Sequence, residues 1–501
     1  MLPVSALAGP VVSPEPSAVS VTLYRDPDRT EGAINAGNPG GYALITETRT
    51  ITIPAGESVI RFEGVSEGMF PETAIVTGLP SGVREKNRDA RLISPAGLVD
   101  AYLSRSVHLR RTNRATGKVV EQDAILRAGP DGGVILQTSE GIEALGCAGL
   151  PERMLYDGIP EGLSAKPTLS VLTTSERAVT ATVQLSYLAQ GFDWSANYVA
   201  NVAADGKTLN LFAWATIANG GAQSFIRANT QAVAGQPNKE ENADPPTDAP
   251  PELRLTCWPQ DITSTHDIWG NIRTSADFEN MPVPVMAMSS EIIVTAQKRM
   301  ESLQDVAVAI TAVQEELGDL KLYRIPEPVT IAAQSQKQVA MIQKSGVKYE
   351  RIYTASVEDA QPTSQPMAFL LRMKNIKSDG LGVPLPAGGV VLFEEAHGQT
   401  LFAGEDSVSD HAIGDDIEFK VGQSADVRYE IVNLARTKAT ASFRVTITNA
   451  RATPIISEVQ IPGELAKQPR GLIRKSGGWM WRQSVPANSQ SVFNFETKQA
   501  R

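Results

Sequence analysis

Polar and apolar residues alternate with a period of two along much of this 501-residue chain. Segments 17–24, 42–53 and 438–449 show the alternation most clearly. In a β-strand, successive side chains point to opposite faces, so this period indicates strands with one buried face. Connections rich in glycine, proline and aspartate separate the segments and are typical of turns.

Several turns define the expected strand pairs. Pro54-Ala55-Gly56 lies between segments 42–53 and 58–63, which are predicted to form a hairpin. Asp205-Gly206 predicts a second hairpin turn, before the alternating segment 208–217. Further strands are predicted at 72–79, 105–112, 118–127, 133–138, 168–174, 178–188, 323–331, 337–342, 349–353, 367–374, 415–421, 425–433 and 491–496.

Residues 375–404 combine a bend, a strand, a turn and a returning strand. Pro384 and Pro386 fix φ and remove two backbone donors, so an irregular segment is expected here. They also exclude the helix that a nucleotide-binding motif would need after Gly380-Leu381-Gly382. The apolar run 390–393 predicts a buried strand, and 400–403 predicts its return.

Composition places the chain among globular proteins, argues against nucleic acid as a partner and predicts no transmembrane helix. Hydrophobic residues make up 42% and charged residues 20%, which is enough apolar material for buried cores. The net charge of −10 disfavours nucleic acid, which selects basic surfaces. The sequence contains no apolar run long enough for a transmembrane helix. Segment 236–252 holds five prolines and five acidic residues, a composition typical of an extended linker.

The N-terminus and the cysteines predict an exported protein. Ala6 and Ala8 form the small-residue pattern of a signal-peptide cleavage site, so we expect most of a signal peptide upstream of this chain. The expected location is the periplasm or the outer membrane, as an associated protein. Cys147 and Cys257 are candidates for a disulfide in that oxidising compartment.

Motifs for catalysis are absent from the sequence: it has no H-E-x-x-H, no G-x-S-x-G and no P-loop. His397, Asp406, Asp410 and His411 are close in sequence and are weak candidates for a metal site. Their spacing follows no ligand pattern, so we expect polar loops that face water, and no cofactor.

Aromatic residues are concentrated between positions 187 and 214, and they allow two interpretations. Phe192, Trp194 and Tyr198 precede the Asp205-Gly206 turn, and Phe212 and Trp214 follow it. Such a set forms either the packing of a sheet or a platform for carbohydrate. No polar ligand set accompanies the aromatics, which favours packing.

A β-branched segment follows the linker and is the candidate binding strand. It consists of Glu291, Ile292, Ile293, Val294, Thr295, Ala296 and Gln297. A short strand on a flexible tether is suited to pairing with an exposed sheet edge. Residues 291–312 resemble the TonB box and the start of the plug of TonB-dependent outer-membrane receptors. That resemblance implies TonB as a partner. The alternative is an edge strand or an inserted fragment without function.

Four other motifs resemble a bacterial family of extracytoplasmic proteins related to mucoidy inhibitor A. They are Tyr187…Trp194…Tyr198 with the strand after Asp205-Gly206, residues 323–326 with Lys337-Gln338, the glycine- and proline-rich residues 380–388, and residues 402–406. The resemblance covers roughly 170–500, and 18–80 is similar to the family's N-terminal β module. The family implies an architecture and a location outside the cytoplasm, and no catalytic residues.

The expected fold class is mainly β: several antiparallel β-sandwich-like domains with flexible linkers and little helix. The only sizeable helical candidate is 299–320. The predicted order is a residual signal or flexible N-terminus (1–16), an N-terminal β domain (17–165), the first part of a middle β domain (166–235), a linker (236–290), the TonB-box-like segment (291–320), the second part of the β domain (321–435) and a C-terminal β-sandwich (436–501).

Two functions are consistent with these features. One is a non-enzymatic envelope protein that binds other proteins or envelope polymers. The other is a hydrolase of envelope polysaccharide or peptide with an unrecognised carboxylate site. A deep pocket with two carboxylates and an apolar wall would favour the hydrolase.

Overall fold

The computed structural model describes residues 8–238 and 311–498, apart from short gaps at 30–31, 33, 36, 90–92, 113–115, 129–133, 145–151, 161–162, 236, 319, 358–360, 397, 462–463, 468–470 and 476–477. Within these ranges the protein is mainly β, which confirms the fold class predicted from the alternation. One α-helix, α1 (Pro95–Ala101), is present in the described part, and the sequence pattern did not predict it.

Sixteen strands precede the long gap between 238 and 311. They are β1 (Ala8–Val12), β2 (Ala18–Tyr24), β3 (Tyr42–Ile53), β4 (Gly56–Glu63), β5 (Ile75–Thr77), β6 (Glu85–Asp89), β7 (Ser106–Thr112), β8 (Val119–Ala128), β9 (Ile135–Thr138), β10 (Gly141–Ala144), β11 (Glu152–Leu155), β12 (Thr168–Ser175), β13 (Val179–Gln190), β14 (Phe192–Val202), β15 (Thr208–Asn219) and β16 (Phe225–Ala234).

Fourteen strands follow the gap. They are β17 (Val313–Leu317), β18 (Leu320–Arg324), β19 (Val329–Ile331), β20 (Ser335–Lys348), β21 (Glu350–Ser356), β22 (Gln361–Lys374), β23 (Gly388–Ala396), β24 (Gln399–Val408), β25 (Asp416–Arg436), β26 (Thr440–Asn449), β27 (Ile455–Ile461), β28 (Leu472–Lys475), β29 (Gly478–Val485) and β30 (Ser489–Lys498).

The strands form five sheets. Their orders are β1-β4-β12-β6, β10-β9-β8-β7-β11, β17-β18-β16-β2-β3-β13-β5 with β19 also paired to β16, β20-β15-β14-β23-β24, and β28-β29-β27-β21-β22-β25-β26-β30. Most neighbours are antiparallel, but β1–β4, β2–β16, β14–β23 and β21–β27 are parallel pairs. The parallel pairs join segments that are far apart in sequence.

The predicted hairpin of segments 42–53 and 58–63 is wrong, although both strands exist. β3 pairs with β13 in one sheet, and β4 pairs with β12 in another. Ile53 is opposite Val179 and Gly56 is opposite Ser175, so segments β3–β4 and β12–β13 form one long antiparallel ribbon. The ribbon bends where both segments pass from one sheet to the other. Pro54 lacks a backbone donor and Gly56 has φ +97°, so this segment forms a corner instead of a reversal.

One large core joins four of the sheets. Its buried side chains come from the two sheets of the bent ribbon, from the sheet of β14 and β15, and from β22 and β25 of the C-terminal sheet. A buried ion pair of Glu47 and Arg49 lies beside this core, with Tyr187 donating a hydrogen bond to Glu47 Oε1 at 3.0 Å. Arg49 also donates to Ser13 Oγ and to the carbonyl of Glu63, so the buried charges are hydrogen-bonded.

The C-terminal strands form one sheet that folds over on itself, whereas the sequence suggested two packed sheets. Trp481 of β29 and Phe493 of β30 belong to opposite ends of the strand order, yet their rings stack with centroids 4.9 Å apart. A separate core lies between the two halves of this sheet and includes Ile431, Val445 and Val459.

The helical candidate 299–320 is also wrong for residues 313–317, which form a strand. Val313–Leu317 is the edge strand β17, which turns at Gly318 (φ +60°) and pairs with β18. The backbone hydrogen bonds to β18 outweigh the helical pattern of this short segment. Residues 299–310 lie outside the described residues.

The predicted domain boundaries remain predictions, but two of them separate residues that belong to the same sheet. β12 lies after position 165 and pairs with β4 and β6, which lie before it. The boundary between 435 and 436 falls inside β25, which pairs with β26 over nine residues of each strand.

Candidate functional site

The glycine- and proline-rich segment that the sequence emphasises is a structural anchor. Tyr198 Oη donates to the carbonyl of Pro386 at 2.7 Å, and Tyr323 Oη donates to the carbonyl of Pro384 at 3.1 Å. Burial raises the pKa of both tyrosines, so their hydroxyls stay protonated and donate. The fully buried Asn375 donates to the carbonyls of Val383 and Ala412. The irregular segment is thereby held rigidly.

The candidate metal ligands that the structure describes make structural contacts. Asp410 forms an ion pair with the buried Arg25 and accepts a hydrogen bond from the Ala387 amide at 2.8 Å. Asp406 accepts from the Lys420 amide at 2.6 Å, and the backbone of His411 forms a bridge with Leu385. Within the described ranges, no group of three or more His, Cys, Asp or Glu side chains is placed to hold a metal ion. His397 lies outside them.

Three further predictions fall on residues that the structure does not describe. They are the candidate binding strand 291–297, the linker 236–290 apart from residues 237–238, and the cysteine pair Cys147 and Cys257. The strand, the linker and the disulfide therefore stay predictions.

A pocket of about 240 Å³ next to Arg372 has acidic groups, each with a cationic partner. Asp379 lies 3.3 Å from Lys348, Asp416 lies 3.1 Å from Lys374, and Glu350 is bound by Arg482 at 2.6 Å. Tyr349 and Met373 are its only aromatic or apolar side chains among the lining residues described. The pocket therefore lacks the pair of unengaged carboxylates beside an apolar wall that a glycoside hydrolase would need.

A larger groove of about 520 Å³ lies on the C-terminal sheet. We call it the Phe443 groove. Its described lining residues are Leu434, Ser442, Phe443, Lys467, Asn494, Phe495 and Glu496. The rings of Phe443 and Phe495 stack with centroids 5.4 Å apart and form its aromatic wall.

A β-bulge opens the Phe443 groove. Asn433 pairs with Phe443 and Ala435 pairs with Ser442, which leaves Leu434 as the extra residue of β25. Leu434 is 46% exposed, a high value for leucine beside an aromatic wall. Bulges redirect side chains and often lie next to functional sites. No signal in the sequence marked the bulge.

The polar rim of the groove lies where a short segment pairs with β30. The Ala466 amide donates to the carbonyl of Glu496 at 2.9 Å, and the Lys498 amide donates to the carbonyl of Glu464 at 2.7 Å. The next residue, Lys467, brings a cation to the rim beside the carboxylate of Glu496. The groove thus combines an apolar wall with both signs of charge, next to an edge of β30 that pairs with segment 464–466.

The aromatic residues between 187 and 214 divide between the two faces of their sheet. Phe192, Trp194 and Tyr198 are at most 1% exposed, which confirms the packing interpretation for these three. Phe212 and Trp214 lie on the opposite face and are half-buried.

Comparison with known proteins adds no family to these observations. No family model matches this chain, and no curated protein matches its sequence significantly. Within the described residues, no helix is both long and apolar enough to cross a membrane.

Proposed function

We propose that this chain is a non-enzymatic protein of the bacterial cell envelope that binds other proteins, with the Phe443 groove as its recognition site. The observation that carries the proposal is the groove itself: it has an aromatic wall and a polar rim. Binding sites for peptides and small ligands are mostly apolar, with a few polar groups that fix orientation.

An extended peptide with an apolar side chain fits the groove. The apolar side chain packs against Leu434 and Phe443, and the burial of a leucine-sized side chain contributes about 1.5–3 kcal/mol. Lys467 and Glu496 bind groups of opposite charge on the peptide. The hydrogen bonds between segment 464–466 and β30 are an internal example of strand addition at this edge.

Location and partner follow from the sequence. The Ala6 and Ala8 pattern supports export, and the resemblance of 291–312 to a TonB box supports TonB as one partner. Segment 291–297 supplies a strand to a partner in this proposal, whereas the Phe443 groove receives one.

The alternative is a hydrolase of envelope polysaccharide or peptide. The pocket next to Arg372 is the place where acidic groups meet, and that observation is the reason to test for hydrolysis. The cationic partners of Asp379, Asp416 and Glu350 favour the binding function over this alternative.

A phage-displayed peptide library selected against the purified chain tests the proposal. We expect peptides enriched in an apolar residue, and we expect Leu434→Ser and Phe443→Ala to weaken their binding about tenfold or more. Ile473→Ser is the matched control, because Ile473 is 45% exposed on the same sheet and does not line the groove.

Two results would contradict the proposal. One is peptide binding that Leu434→Ser and Ile473→Ser reduce equally. The other is cleavage of the selected peptides by the wild-type chain, detected by mass spectrometry, which would support the hydrolase.

A further inference from the structure

A second surface, independent of the Phe443 groove, lies on the five-stranded sheet β20-β15-β14-β23-β24. We call the side of this sheet that faces away from the core the open face. Along β14, Tyr198 and Ala200 point into the core, and the alternating Asn197, Val199 and Asn201 are partly exposed on the open face. The open face therefore has amides where a sheet covered on both sides would have apolar residues.

Two pairs of aromatic rings flank this row of amides. On β15, Phe212 and Trp214 meet edge to face with centroids 4.7 Å apart. On the other side of β14, Phe393 of β23 meets Phe402 of β24 at 6.4 Å. β15 and β23 are both direct neighbours of β14, but Trp214 is level with Asn197 and Phe393 is level with Asn201. Two strand spacings across the sheet and four residues along it separate Trp214 from Phe393 by roughly 16 Å.

The amides are oriented and have unused hydrogen-bonding capacity. Asn197 Oδ1 accepts from Thr216 Oγ1 at 2.6 Å and from Ser195 Oγ at 3.3 Å, which fixes the side chain beside Trp214. Its Nδ2 donates to no atom of the described residues. Asn201 Oδ1 is shielded from solvent and has no hydrogen-bond partner there either. A shielded amide oxygen without a partner is unfavourable, so a rotation of the Asn201 side chain that brings Oδ1 to a ligand hydroxyl would be stabilising.

Charge is missing from the central part of the open face. Between the row of Ser195 with Thr216 and the row of Asn201 with Asn210, strands β20, β15, β14 and β23 carry no charged side chain on this side. The nearest carboxylate in register is that of Glu405 on β24, opposite Val391. An uncharged surface complements an uncharged ligand and offers no ion pair to a charged one.

We propose that the open face binds a neutral glycan. A sugar ring presents an apolar C–H face and a rim of hydroxyls, and the open face presents aromatic rings beside amides in the same arrangement. One sugar ring lies on Trp214 and binds Asn197 Nδ2 through a hydroxyl. A ring further along the glycan reaches Asn201 Oδ1 and Phe393, which are partners in the register of β14 and β23. This activity goes beyond the proposed protein binding and uses different residues.

Isothermal titration calorimetry tests this with three neutral probes: the tetramer of N-acetylglucosamine, maltotetraose and cellotetraose. Tetragalacturonic acid is the charged comparator. We expect at least one neutral tetramer to bind. Trp214→Ala and Asn197→Asp should weaken it about tenfold or more, and Trp214→Phe, which keeps a ring, should weaken it less.

Phe443→Ala is the control that separates the two sites, because it should reduce peptide binding and leave glycan binding unchanged. If Trp214→Ala fails to fold, Asn197→Asp decides the question, since it keeps the size of the side chain. The proposal is overturned if no neutral tetramer binds, if only the acidic tetramer binds, or if the variants bind the glycan like the wild type. It is also overturned if the face proves to be a contact between copies, shown by a change of oligomeric state in Trp214→Ala without any glycan binding.

Discussion

Gly388 allows two strands from distant parts of the chain to pair. A Cβ atom at this position would lie 1.9 Å from the carbonyl oxygen of Ala196, its partner in the parallel pair of β14 and β23. The neighbouring Gly389 differs, since a Cβ there would have only Asn197 Nδ2 nearby, at 3.9 Å. The two glycines therefore form a matched pair for mutation.

Gly388→Ala should destabilise the protein by about 1–3 kcal/mol, because the added methyl forces β14 and β23 apart. Urea denaturation measures the loss. Gly389→Ala should change the free energy of unfolding by less than about 0.5 kcal/mol. Equal effects of the two substitutions would mean that the close approach of β14 and β23 is not what Gly388 provides.

His108 is the residue whose protonation the surrounding carboxylates control. Its Nδ1 lies 2.6 Å from Asp123 Oδ1 and its Nε2 lies 2.9 Å from Asp157 Oδ1. The hydrogen bonds to Asp123 and then to Asp157 raise the pKa of His108. Both ring nitrogens donate at once only in the protonated ring, so the two contacts coexist when His108 is charged.

We expect His108 to titrate above its ordinary pKa of about 6.5 in an NMR titration. Because its folded pKa is raised, its contribution to stability is fully present below the unfolded pKa and is lost as the pH rises through the folded pKa. Asp123→Asn should lower the pKa of His108. A His108 pKa at or below the unfolded value in the wild type would contradict the hydrogen bonds described here.

At the scale of single elements, the candidate binding strand 291–297 gives the most specific prediction. Its sequence contains four consecutive β-formers, Ile292, Ile293, Val294 and Thr295. Strand addition depends on main-chain hydrogen bonds, and proline removes a donor. The proposal that TonB captures this chain through 291–297 therefore predicts that Val294→Pro weakens capture by the periplasmic domain of TonB, whereas Thr295→Ala reduces it only slightly.

A pull-down with immobilised TonB domain measures both variants. Loss of capture in both to the same degree would indicate that side chains, and not the backbone, make the contact. Capture that neither variant changes would place the TonB contact outside 291–297.

At the scale of the whole molecule, strands β7–β11 and α1 form a unit inserted between two paired strands. The unit has its own small core, which includes Val99, Leu109 and Leu126. Asp89 at the end of β6 pairs with Thr168 at the start of β12, and the Ile93 amide donates to the carbonyl of Ser164 at 2.9 Å. The chain therefore leaves and re-enters the rest of the protein at adjacent points.

Replacing residues 94–163 with Asn-Gly should leave the remaining sheets folded, because a two-residue turn of this type closes an antiparallel pair. Circular dichroism should keep its β spectrum, and thermal unfolding should stay cooperative. A six-residue Gly-Ser linker in place of Asn-Gly controls for strain in the turn. Loss of cooperative unfolding with both linkers would show that the inserted unit stabilises the other sheets.

The alternation of side chains identified most of the described strands, although β16, β27 and β29 were not among the predicted segments. A strand with one buried face needs a period of two, so most predicted strands were found, and segment 42–53 matches β3 at both ends. The Asp205-Gly206 turn correctly predicted the hairpin of β14 and β15. Pro384 and Pro386 correctly predicted the irregular segment, because proline restricts its own backbone.

Only the tertiary structure decided which strands are neighbours. The ribbon that bends at Pro54 and the parallel pair of β14 and β23 depend on hydrogen bonds between segments more than a hundred residues apart, and no local pattern encodes such a partner. The Phe443 groove and the open face arise in the same way. Leu434 becomes a groove residue through a bulge, and Trp214 joins Asn197 through cross-strand register, so both surfaces exist only once the sheets have formed.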